Sequence, residues 1–86
     1  MQEGSDLDSW SERVRLLRLR LVDVLPGCRR GIASFHDTGV YIGVHSETVR
    51  YWEKRGGVPI ANHVVLICEA ENRLRDELFR LSQGVR

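Results

Sequence analysis

Ser46, Glu47 and Arg50 stand within five positions of one another, flanked by His45 and Tyr51, in the stretch GVHSETVRYWEKRGGVP of residues 43–59. Guanidinium, carboxylate and hydroxyl are the groups that read base edges in a DNA major groove. Arginine matches the two acceptors of guanine, glutamate accepts from the amino group of cytosine, and serine fits several bases. Each residue also has a second use. Arg50 can clamp a phosphate where its reach to a base falls short, Glu47 can orient Arg50 across one helical turn, and Ser46 can cap the helix it opens. Thr48 can donate to a phosphate or pack its methyl locally. Lys54 and Arg55, before the Gly56-Gly57 break, suit the sugar–phosphate backbone or plain solvation, as do Arg29 and Arg30 upstream.

Other chemistries fit the chain poorly. Cys28, His36, His45, His63 and Cys68 make up all its cysteine and histidine. They contain no Cys-x-x-Cys pair, and the five-residue step from His63 to Cys68 splays the two side chains on a helix, so no metal site is expected. A Cys-His nucleophile pair or acid–base work by His36 and Asp37 would need a substrate cleft, and a small helical domain offers little room for one. Neither catalysis nor a cofactor is expected.

Charge is unevenly spread. Residues 1–12 carry four acids and no base, residues 13–55 carry nine bases against four acids, and residues 56–86 balance four against four. The middle of the chain is therefore +5, a field suited to a polyanion, although a solvated arginine-rich helix face would look the same. Glu3, Asp6, Asp8 and Glu12 stand where a signal peptide would be apolar, so a cytoplasmic protein with reduced thiols is expected. No apolar run reaches the roughly 18 residues of a membrane span.

Helices must position these residues. Trp10, Val14, Leu17, Leu21 and Val24 recur at steps of four, three, four and three, a helical stripe widened by Leu16 and Leu19. Asp8 or Ser9 caps its start and Pro26-Gly27 ends it. A second helix is expected over 32–42, where Thr38, Gly39 and Val40 are weak helix formers. A third runs over 46–55 and stops at Gly56-Gly57, and a fourth begins just past Pro59 and reaches Ser82. The expected fold class is all-α, a small bundle of four to five helices with a helix-turn-helix. Its organisation is an acidic tail at 1–8, a DNA-binding unit at 9–60, and a C-terminal helix at 61–86 that completes the core and pairs with a second copy.

Gly39 supplies a small residue where one helix would cross the next, and Gly43, four positions on, supplies a turn of positive φ. Ile42, Val44, Val49 and Trp52 stand at inward offsets, and a seven-residue step leads from Trp52 to Pro59. In this register Phe35 to Lys54 resembles the helix-turn-helix of the lambda-repressor-like (Cro-type) DNA-binding family. Val64, Ile67 and Cys68 fall where that family packs its fourth helix. Phe35 replaces a common glutamine, His45 a common serine or threonine cap, and Glu71 a usual leucine. The resemblance implies that the second helix of the motif enters the major groove. His45, Ser46, Glu47, Arg50 and Tyr51 would then face bases, while Arg29, Arg30, Thr48, Lys54 and Arg55 would face the backbone. The partner implied is double-stranded DNA.

Two other readings compete. SETVRYWEKRGGVP is also similar to the recognition region of MerR-type regulators and excisionases, which follow it with a β-wing; the helical periodicity from Ala61 to Ser82 argues against a wing. A protein-interaction adaptor or antitoxin could reuse the fold, but its third helix should then show outward apolar residues.

Val64, Ile67, Glu71, Leu74, Leu78 and Leu81 step by three, four, three, four and three, a heptad seam broken at Glu71. A helix over 61–82 would be about 33 Å long at 1.5 Å per residue. Leu74, Leu78, Phe79 and Leu81 are therefore expected at a homodimer interface that sets two recognition helices on a palindrome, with folding back onto Trp10, Val14 and Leu17 as the alternative.

Overall fold

The computed structural model describes residues 3–25 and 31–84, with side chains from Trp10 onward. Four α-helices follow one another: α1 (Glu3–Leu21), α2 (Phe35–Ile42), α3 (Ser46–Lys54) and α4 (Ala61–Ser82). The all-α expectation holds. Among the described residues no helix is long and apolar enough to cross a membrane.

Helix α1 begins at Glu3, not Ser9, so the acidic segment is its first turns; carboxylates favour a helix N-terminus because they complement the partial positive charge there. The helix ends at Leu21, a turn earlier than Pro26 suggested. Asp23 and Val24 then donate to Arg20 O and Leu21 O at 3.1 and 3.0 Å, closing tighter turns. Helix α2 starts three residues later than expected because Ser34 caps it, its side chain accepting from Asp37 N–H at 3.0 Å.

The core joins Val14, Leu17 and Leu21 of α1 with Ile42, Val49, Trp52, Ile67, Ala70 and Leu74. Gly39 is required by close approach, since a Cβ there would stand 2.6 Å from Val44 O. Gly43 ends α2 in the left-handed region, φ 103°, and its N–H closes on Gly39 O at 2.7 Å. These two glycines set the angle at which α3 leaves α2.

Helix α4 spans the expected residues but packs differently. Arg13 of α1 meets Cys68 and Glu71, Leu17 one turn on shares a groove with Leu74, and Val24 just past the end of α1 shares one with Leu81. Contacts advance together along both helices, so α1 and α4 run side by side in the same direction. Leu74 is 2% exposed, part of this chain's own core, and Leu78 packs half-buried against it. That corrects the role expected for Leu74 as an interface residue. The seam of α4 is taken up by the monomer, because its stripe fits the apolar face of α1. Of the four residues expected at the interface, Phe79 (64% exposed) and Leu81 (58%) stay open, and two positions apart on a helix they point in different directions.

Glu71 is explained by its partner. Arg13 Nε and Nη2 donate to its two oxygens at 3.1 and 2.5 Å, and the guanidinium lies 4.3 Å from the Trp10 ring centroid. That hydrogen bond raises the Arg13 pKa. Helix α4 is tied to α2 by Arg73, which donates to Tyr41 O at 2.6 Å, and by Tyr41 OH, which donates to Glu77 at 3.2 Å. Burial first, and the Glu77 charge second, push the Tyr41 phenol up. Thr38 Oγ1 is buried without a hydrogen-bond partner, and nothing in the structure explains it.

Candidate nucleic-acid interface

Helix α3 is amphipathic over nine residues. Val49 and Trp52 face the core, fully buried, and the opposite side presents Glu47, Arg50, Tyr51 and Lys54 to solvent. The inward pair fixes the helix so that the polar residues project.

The N-terminus of α3 is built by His45. Its Nδ1 accepts from Glu47 N–H at 3.0 Å, doing the work of a capping hydroxyl. A neutral imidazole that accepts at Nδ1 carries its proton on Nε2, so Nε2–H is the group left for an outside acceptor. Ser46 is the first residue of the helix and half-buried, and the cap role suggested for it belongs to His45.

Glu47, Arg50, Tyr51 and Arg55 line one open concavity of about 350 Å³. No hydrogen bond or ion pair joins the side chains of Glu47 and Arg50, and neither side chain is bonded to another described residue. Both charged heads are therefore free for an incoming ligand. Tyr51, half-exposed, is braced from behind by Gly57: a Cβ at Gly57 would overlap its ring, and Gly57 N–H donates to Tyr51 O at 3.1 Å. Only glycine leaves room for the ring to lie against the chain there.

Thr48 is half-buried, while Lys54 and Arg55 are exposed beside the exit from α3. Lys54 Nζ lies 3.8 Å from Glu53 Oε2 with a 60% exposed side chain, a surface contact too weak to withhold the ammonium from a phosphate. Arg29 and Arg30, also expected at the backbone, lie outside the described residues. Base-facing candidates thus converge on one surface, with Lys54 and Arg55 at its edge.

Beneath that surface is a buried ion pair not anticipated from the sequence. Arg18 Nη1 donates to Glu53 Oε1 at 2.5 Å, with side-chain exposures of 9% and 5%. Arg18 Nε donates to Ala33 O at 2.9 Å, and the guanidinium lies 4.0 Å from the Phe35 ring centroid. Ser11 Oγ adds a hydrogen bond to Glu53 O at 2.9 Å. One arginine of α1 thereby holds the last turn of α3 and the entry to α2. Phe35 packs against that arginine, so it has an internal role where glutamine is common. The only signal available was an arginine on the flank of an apolar stripe. Arg18 and Glu53 cancel within residues 13–55 and leave the +5 count unchanged, whereas Arg13 is paired with Glu71 outside that span and lowers it by one.

Comparison with models of protein families, with curated proteins and with solved structures finds no match.

Proposed function

We propose that this chain is a sequence-specific DNA-binding protein of the cytoplasm, a small transcriptional regulator of phage or bacterial type without enzymatic activity. The observation that carries the reading is the outward face of α3. The side chains of Glu47 and Arg50 have no partner there among the described residues, in one concavity, on a helix whose angle is set by Gly39 and Gly43. Arg50 is assigned to guanine, Glu47 to cytosine, and Ser46, His45 Nε2–H and Tyr51 to neighbouring groups in the groove. Thr48, Lys54 and Arg55 are assigned to phosphates. The polar character of this face favours DNA over an adaptor's protein partner. Helix α4 follows Pro59 almost at once, which favours the repressor-like reading over a winged one.

The separation of readout from positioning is testable by mutation. Arg50→Ala should cost roughly 1–3 kcal/mol on the preferred site and relax choice at one base pair. Lys54→Ala should weaken all sequences alike and make the dependence of log affinity on log salt shallower by about 0.9. Equal losses on specific and random DNA for Arg50→Ala would reassign it to the backbone.

Pairing on a palindromic operator belongs to the same proposal, with the second copy meeting the exposed Leu81 at the far end of α4. Sedimentation equilibrium should find a dimer for the intact chain and a monomer for Leu81→Glu. A monomer for both would remove the homodimer and leave the DNA reading standing.

A further inference from the structure

Arg15 is exposed and has no hydrogen bond or ion pair with any described residue. Its place on α1 is defined by its neighbours. Ser11 lies one turn before it and Arg18 one turn after, and both are bonded to Glu53 in the last turn of α3. With about 3.6 residues per turn, Ser11, Arg15 and Arg18 share one side of α1. Arg18 is turned toward the core and buried, Ser11 lies at the contact, and Arg15 sits on the solvent side of it. Glu53 is on the flank of α3 that lies next to Arg50 and Lys54, so α1 crosses α3 along the edge of the proposed DNA face.

Resting on the DNA-binding reading above, we infer that Arg15 is a phosphate contact supplied from outside the helix-turn-helix. The crossing at Glu53 carries a free guanidinium to the rim of the surface formed by Arg50 and Lys54. Arg50 and Lys54 would engage the groove and one rim of it, and Arg15 the backbone on the α1 side. A guanidinium is suited to this because its donor fork matches phosphate oxygens bidentately. Arg20 provides the internal contrast. It is also exposed on α1, but it lines the groove between α1 and α4 with Leu16, Leu17 and Leu74, away from α3.

The test measures DNA affinity of the full chain against salt concentration, on a selected site and on random duplex, for Arg15→Ala, Arg15→Lys and Arg20→Ala. Arg15→Ala is expected to lower affinity on both duplexes by the same factor and to make the salt slope shallower by about 0.9, with the melting temperature unchanged. Arg15→Lys should keep the slope, since the charge remains. Arg20→Ala should leave affinity and slope as they are. An unchanged slope for Arg15→Ala, or an equal effect from Arg20→Ala, would overturn the assignment while DNA binding itself persisted. Failure of the unaltered protein to bind any duplex would instead overturn the reading on which it rests.

Discussion

Trp52→Ala is expected to remove a large part of the protein's stability. The indole is 1% exposed and sits where α3 meets the rest of the core, its ring edge-on to His63 at 5.5 Å between centroids. Truncating a buried tryptophan typically costs about 3–5 kcal/mol, from lost transfer energy and from the cavity left behind. A domain of this size holds roughly 5–10 kcal/mol in total, so between about a third and all of its stability would go. Helical circular dichroism followed through a urea titration would read the loss, with Trp10 retained as a fluorescent reporter. DNA affinity should fall with the folded fraction and not independently of it. A loss below about 1 kcal/mol would mean that Trp52 is not the inward residue of α3, and the register of the whole outward face would fall with it.

Arg18→Met should be nearly as damaging, through a different term. Glu53 would be left charged, 5% exposed and without its 2.5 Å partner, and the Ala33 carbonyl would lose its donor. Removing one member of a buried ion pair generally costs about 3–5 kcal/mol because the survivor stays uncompensated. Adding Glu53→Leu to the same chain should recover a substantial part, since two apolar residues of similar volume do not leave a charge behind. The double-mutant cycle in urea is the measurement: strong coupling is expected between the two positions. Additive effects would show that the pair does not hold α1 to α3.

How much of this was legible before the structure depends on whether a feature is local. The glycine pair of the turn could be read because each acts on its own backbone. Gly43 needs a left-handed φ and Gly39 must admit the Val44 carbonyl, and both demands recur at a fixed spacing. The bounds of α4 followed from its helical spacing between Pro59 and the end of the heptad steps, interrupted in residue type only at Glu71. The buried pair Arg18–Glu53 was not legible: its members are 35 positions apart, and only the crossing of α1 over α3 brings them together. Charge counting treated Arg13 as available to a polyanion for the same reason, since its partner Glu71 is 58 positions away. Leu74 illustrates a different limit. A stripe on a long helix shows that a face will be covered, but periodicity does not say whether the cover is α1 of the same chain or a second copy. At the site, Ser46 and His45 were both possible caps. The extended backbone of His45, φ −72° and ψ 150°, and the first helical position of Ser46 decide between them.

Selection of duplexes from a random DNA pool by the full chain, with sequencing of what is retained over successive rounds, tests the central claim most directly. Enrichment of a defined site is expected. It should contain a G·C pair whose preference disappears when the same selection is run with Arg50→Ala, while Lys54→Ala enriches the same site more weakly. A folded protein that enriches no sequence, or whose Arg50→Ala variant enriches the same site with undiminished choice at every position, would contradict the assignment of α3 as a helix that reads DNA.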